Sequence, residues 1–141
     1  MKSTGTITNL QINIAHGKPM KTQSSVQAIS GLGLSGEIHA REGSKRQVLL
    51  VDEETLKAFG LETGRIRENI TTRGIELHQL TEGARVRAGN ALLEITMHCA
   101  PCEFIEDIRP GLRMEMDKHR GMLARVIEGG EIRVGDRIEI L

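Results

Sequence analysis

The chain has no Trp and no Tyr, and only two Phe, Phe59 and Phe104. Modules that stack nucleic-acid bases on exposed aromatic rings are excluded on that ground. An excess of one charge is missing too: Lys plus Arg number 19, Asp plus Glu number 19, and the net charge is zero. That balance argues against a basic nucleic-acid binder and against an acidic tail. Two cysteines are too few for a disulfide framework. The longest apolar run, Val48-Leu49-Leu50-Val51, is too short to cross a membrane. The first residues lack the apolar core of a secretion signal. The expectation is a reduced, cytoplasmic protein that binds neither nucleic acid nor membrane.

The 141 residues suit one domain, here residues 1–141. With so few aromatics, the core must be built from Ile, Leu, Val and Met. Glycine is abundant, 16 residues against three Pro, and without low-complexity stretches this signals many tight turns. The dominant hydrophobic period is two, which argues for strands. Candidate strands are Gly5 to Ile14 (with an irregularity near Thr8), Val26 to Ile29, Gln47 to Val51, Ala91 to Met97, Met122 to Ile127 and Arg137 to Ile140. Helices are short: Glu53 to Phe59 capped by Asp52 and stopped by Gly60, Cys102 to about Ile108, and Leu112 to His119. Glu82 to Leu92 and Glu128 to Ile138 share the pattern Glu-Gly-x-x-aliphatic-Arg-small-Gly-Asx-x-aliphatic. Each reads as strand, Gly-Asx turn, strand, suggesting two similar hairpins in one β-barrel. The fold class is mostly β: a closed or partly closed barrel with two or three short helices.

Gly31-Leu32-Gly33-Leu34-Ser35-Gly36 matches a dinucleotide fingerprint in letters. The helix that the fingerprint requires would contain Gly36 and Gly43 and few apolar residues, so a glycine turn is the better reading. His98-Cys99-Ala100-Pro101-Cys102 is the sharpest local feature. A Cys-x-x-Cys dithiol, a zinc knuckle short of ligands, a single reactive thiolate at Cys102 and two inert buried cysteines all stay open. Haem attachment needs His after the second Cys, and here it precedes the first. The five His show neither HxH nor HExxH spacing, which lends a bare metal site little support. Cations cluster at Arg41, Lys45 and Arg46, at Arg65, Arg67 and Arg73, and at Arg113, Lys118, His119, Arg120 and Arg125. They are either a solvated surface or the lining of a barrel mouth that holds a phosphorylated ligand. Arg125 stands inside an apolar strand, so it faces outward or belongs to a site.

Several of these segments join into one pattern. They are Gly33 to Ala40, Arg46-Gln47-Val48-Leu49-Leu50, Glu68-Asn69-Ile70-Thr71-Thr72-Arg73-Gly74-Ile75, Gly89 to Ile95, Pro101-Cys102 and Arg120 to Val126 followed by Gly129-Gly130 and Gly135-Asp136. In that order and spacing the chain resembles a stand-alone MOSC domain, the family of the molybdenum cofactor sulfurase C-terminal domain. The resemblance covers roughly Gly5 to Ile140. It implies a barrel-like β fold. It implies that Cys102 matches the family's cysteine, proposed to carry sulfur or to ligate molybdenum through a pterin cofactor. It implies a basic pocket for the cofactor phosphate, to which His39, Arg46, Asn69, Arg73, Arg120 and Arg125 are assigned. Glu37 departs from the Asp that the family often carries there. Nothing resembles the aminotransferase-like module of full sulfurases, so pyridoxal phosphate chemistry is not expected.

The function implied is a molybdenum-pterin cofactor binding or sulfur-carrier module. It would act in cofactor biosynthesis, sulfuration or delivery, with biosynthetic proteins or molybdoenzymes as partners. Two alternatives are a small molybdenum-dependent reductase of N-hydroxylated compounds and a Cys99–Cys102 dithiol oxidoreductase.

Overall fold

Ile7 and Leu10 are three residues apart, which in an unbroken strand would put them on opposite faces. A bulge between Ile7 and Asn9 resets the register of the first strand, β1 (Thr4–Ile12), and both side chains reach the core. The irregularity expected near Thr8 is this bulge. The computed structural model describes residues 2–141. Ten further strands follow: β2 (Lys21–Gln23), β3 (Ser25–Ile29), β4 (Gly33–Leu34), β5 (Val48–Asp52), β6 (Ile70–Arg73), β7 (Arg85–Ala88), β8 (Ala91–His98), β9 (Met122–Glu128), β10 (Gly130–Arg133) and β11 (Arg137–Ile140). The helices are α1 (Glu53–Ala58), α2 (Glu103–Ile108) and α3 (Leu112–Glu115).

Seven strands close in the order β11-β7-β8-β9-β5-β6-β1 and back to β11. This is the expected mostly-β barrel with three short helices. Closure leaves no free edge around the barrel. β2 extends the remaining edge of β1, and β10-β3-β4 form a separate small sheet. Among the described residues only β5 and β6 run parallel, and α1 lies within the crossover between them.

The apolar run Val48–Val51 is explained by burial on both faces. Val48 and Leu50 enter the barrel core, whereas Leu49 and Val51 pack beneath the helices with Leu56, Ile105, Leu112 and Met116. Asp52 caps α1 as expected, accepting from the Thr55 amide at 3.1 Å and from its hydroxyl at 2.8 Å. α3 is shorter than expected. Lys118 takes a positive φ of 65°, and the amides of Asp117 and His119 bond three residues back instead of four.

The two repeated segments differ in pairing. β7 and β8 form the expected hairpin around Gly89-Asn90. β10 and β11 do not pair with each other: β10 joins β3, and β11 joins β7 and β1. The Gly135-Asp136 turn directs its backbone to β1, with Gly135 N–H donating to Ile7 at 2.8 Å and Ile7 N–H to Asp136 at 2.9 Å. Those bonds help close the barrel, and the same sequence pattern therefore serves two topologies. Gly31 to Gly36 forms turns and the short strand β4, not the start of a helix.

Gly121 has φ of 122°, and a Cβ there would stand 2.8 Å from Val51 Cγ2 and 3.0 Å from the Leu50 carbonyl. Both the backbone angle and the space require glycine. Gly121→Ala should destabilise the protein by about 2 kcal/mol or more, read as a lowered urea midpoint at unchanged slope.

Candidate functional site

Glu37 is 5% exposed, and its carboxylate gathers five donors. One oxygen accepts from the Asn13 amide at 2.7 Å, the Asn13 side chain at 3.0 Å and the Asn69 side chain at 2.8 Å. The other accepts from the His39 amide at 2.9 Å and stands 2.7 Å from His39 Nδ1. Burial pulls the Glu37 pKa upward, but the hydrogen bonds outweigh it and hold the carboxyl below its ordinary 4.5.

Above this carboxylate lies a cleft of about 520 Å³. Its wall contains Asn13, His39, Arg41, Arg46, Arg67, Asn69, Cys99 and Arg120, and no Asp or Glu. Seven arginines elsewhere stand in ion pairs with carboxylates. Among the described residues, those without such a partner are Arg41, Arg46, Arg65, Arg67, Arg113 and Arg120. Four of these line the cleft. The other two stand near the head of α2: Arg65 lies 5.8 Å from the Phe104 ring centre, and Arg113 Nε donates to the Pro101 carbonyl at 3.3 Å. A protein with no net charge thus concentrates uncompensated positive charge on one face.

Arg120 is the extreme case. It is 5% exposed, yet its Nε and Nη1 have no hydrogen-bond partner. Nearby Glu68 is fully buried; burial raises its carboxyl pKa against bonds from the Gly64 amide at 2.8 Å and the Thr71 hydroxyl at 3.2 Å, with Arg120 also opposing the rise. A buried guanidinium with unused donors is costly unless an anion completes it.

Of the residues assigned from sequence, the structure places His39, Arg46, Asn69 and Arg120 in the wall of this cleft. Asn69 has spent its donors, on Glu37 and on the Gln11 carbonyl at 3.2 Å, while its oxygen accepts from Leu49 at 2.9 Å. It holds the wall together rather than offering donors to a ligand.

Arg73 and Arg125 are not part of the cleft wall. Arg73 ends β6 and lies 3.7 Å from Glu53 on α1. Arg125 alternates with Ala124 and Val126, which fill the core, so its side chain faces out. There it meets Glu94 directly across the ladder at 2.7 Å, and Arg85 approaches the same carboxylate at 3.3 Å. The hydrogen bond from Arg125 is the main reason the Glu94 carboxyl is held below its usual range. This is a cross-strand ion ladder on the barrel exterior.

Cys102 is exposed at the N-cap of α2 and does not line the cleft, whereas Cys99 is buried in the cleft wall. Phe104, in the first turn of α2, lies under the guanidinium of Arg67 at 5.7 Å, which ties the Cys102 end of α2 to the arginine face. The residues not assigned to the cofactor pocket from sequence are Glu37, Arg41, Arg67 and Cys99, although Arg41 and Arg67 stood in cation clusters read as a possible barrel-mouth lining and Cys99 in the dithiol alternative. Their signal was adjacency: Arg67 precedes Glu68-Asn69, and Glu37 precedes His39 by two.

A second cleft of similar volume, about 520 Å³, includes Asp52, His78, His98 and His119. Burial drives the His78 pKa down to about 4, helped by His119 and His98 and opposed by Asp52.

A family model described as MOSC domain matches residues 35–139. None of the curated proteins compared with the chain matches it. Among solved structures, the YuaD protein from Bacillus subtilis is similar, with TM-score 0.80, 21% identity, and coverage of 97% of this chain and 95% of that one. YiiM from Geobacillus stearothermophilus has TM-score 0.74 at 17% identity, covering 97% of this chain and 75% of that one. YiiM from Escherichia coli has TM-score 0.67 at 20% identity, covering 99% and 68%.

Because the folded pKa of Glu37 lies below 4.5, the folded chain binds fewer protons there than the unfolded chain. Its contribution is present above pH 4.5 and lost as pH falls through the lower, folded value. Glu37→Gln should therefore show a shallower loss of stability on acidification below pH 4.5 than the parent, measured by urea unfolding across that range. Glu37→Ala, which orphans several buried donors, should cost about 3 kcal/mol or more at neutral pH.

Proposed function

The chain belongs to the MOSC domain family, and on that premise we propose that it binds the molybdenum-pterin cofactor by its phosphate in the arginine cleft. It serves cofactor biosynthesis, sulfuration or delivery in the cytoplasm, with biosynthetic proteins or molybdoenzymes as partners. The observation that carries this reading is Arg120, buried in a carboxylate-free wall with two guanidinium nitrogens unpartnered. A phosphate group offers the oxygen acceptors that those donors lack. Arg41, Arg46 and Arg67 supply further positive field, and the cleft's volume of about 520 Å³ suits a ligand of pterin size.

Each wall residue then has a part. Glu37 fixes Asn13, His39 and Asn69. Arg120 takes the phosphate, and Arg46, whose guanidinium reaches the Met97 sulfur at 3.9 Å, adds positive charge to the wall. When bound, the molybdenum centre of the cofactor supplies the sulfur-accepting or redox chemistry. Thiolates are soft ligands suited to sulfur and to molybdenum. Cys102, exposed at the head of α2, is the sulfur carrier in this reading, and Cys99 is the thiol in the cleft wall.

The test is protein purified from cofactor-producing cells, with bound pterin and molybdenum measured by native mass spectrometry and metal analysis. A charge-assisted hydrogen bond contributes about 1.5–3 kcal/mol. Arg120→Leu should therefore lower pterin occupancy roughly tenfold or more. Arg46→Leu, at an exposed position, should lower it with the fold intact. Cys102→Ala should retain the pterin and lose molybdenum or transferable sulfur. Unchanged occupancy in both arginine variants would overturn the cleft assignment, and an undiminished metal and sulfur load in Cys102→Ala would remove that cysteine from its role.

A further inference from the structure

We infer that His78, His119 and His98 form a binding site for a divalent late-transition metal ion of the zinc and copper class, in the second cleft. The inference is independent of the cofactor reading, because none of these residues lines the arginine cleft.

His78 is the fixed post. Its side chain is 12% exposed, and its Nδ1 stands 3.4 Å from Asp52 Oδ1. Asp52 is itself locked by its bonds to Thr55 at the start of α1. A proton on Nδ1, facing that carboxylate, leaves Nε2 as a bare lone pair. This Nε2 is closed off from solvent and has no partner. His119 repeats the arrangement: its Nδ1 lies 3.0 Å from the Asp117 carbonyl, an oxygen that can only accept. Its Nε2 is therefore bare as well. An imidazole oriented through its other nitrogen by a carboxylate or carbonyl is the usual support of a metal ligand.

The spacing agrees. The His78 and His119 ring centres are 5.6 Å apart, and those of His78 and His98 are 6.3 Å apart. Imidazole nitrogens about 2.1 Å from a shared ion place ring centres roughly 5–6 Å apart. Among the described residues, no three His, Cys, Asp or Glu side chains already stand in a metal-holding arrangement. His98 and His119 are exposed; a turn of the His98 side chain closes the set, while His119 keeps its contact with the Asp117 carbonyl. Nitrogen donors favour zinc, copper or nickel over magnesium or calcium. Lys2 and Lys118 also line the cleft, where Asp52, Glu54 and Glu76 offset their charge.

The experiment uses the untagged full chain carrying Cys102→Ser, stripped of metal and titrated with zinc chloride by calorimetry. Copper(II) is then added for electron paramagnetic resonance. One equivalent of zinc should bind, and the copper spectrum should show coupling to imidazole nitrogens. His78→Gln and His119→Gln should each weaken binding roughly tenfold or more, and Asp52→Asn, which keeps the helix cap, roughly tenfold. His119 is exposed, so its variant reports even if His78→Gln fails to fold. Equal zinc affinity in parent and His119→Gln overturns the inference. So does a loss that follows His16→Gln or His39→Gln instead, a pair whose rings stand 6.0 Å apart and of which neither lines this cleft.

Discussion

A single buried carboxylate organises the arginine-lined face of the barrel. Glu37 binds the end of β1 through Asn13, its own loop through His39, and the segment before β6 through Asn69. Asn69 passes the constraint on, to β1 through the Gln11 carbonyl and to β5 through the Leu49 amide. The loop of Glu37 to Ala40 and the segments flanking β1, β5 and β6 are thereby fixed around one anion. The carboxylate compensates the buried amides that would otherwise be orphaned, and it stays ionised because five donors surround it. The length of the Glu37 side chain lets its two oxygens reach donors on both sides, Asn13 and Asn69 at one and His39 at the other.

With that negative charge consumed from below, the cleft above presents only cations. Elsewhere on the surface arginine and carboxylate alternate, as in the Arg85–Glu94–Arg125 ladder. Exposed pairs of this kind contribute little stability individually. Their larger consequence is to neutralise the rest of the molecule, so that the local potential of Arg41, Arg46, Arg67 and Arg120 is not diluted by stray arginines. A net charge of zero conceals this separation.

The barrel was legible in the sequence because period-two alternation and glycine turns are local signals. The dually buried β5 showed as a continuous apolar run, and the cap of α1 showed as Asp52 followed by acids. What stayed hidden depended on partners distant in sequence. β2, β4 and β6 are short and carry little alternation of their own. The repeat at Glu128 to Ile138 mimics a hairpin, yet its turn is claimed by Ile7, more than a hundred residues away. The site divided the same way. Motif letters located His39, Arg46, Asn69 and Arg120, but only tertiary geometry separated Arg125, whose cross-strand partner is Glu94, from Arg67. The three histidines of the second cleft have no telling spacing because a loop, a strand end and a turn deliver them.

The two clefts are opposite sides of one wall. His98 faces the histidine cleft and Cys99 lines the arginine cleft; His119 and Arg120 divide in the same way. The two segments are stapled together, since the Cys99 amide donates to the Gly121 carbonyl at 2.9 Å and His98 pairs with Met122 in the ladder. Extended backbone sends neighbouring side chains to opposite sides, so a few residues furnish imidazoles on one side and a thiol and a guanidinium on the other. Gly121 is what lets this wall sit close against β5, where a Cβ would collide with Val51 and the Leu50 carbonyl. The close packing keeps Arg120 buried with its Nε and Nη1 unpartnered, which is the feature on which the proposed anion binding rests.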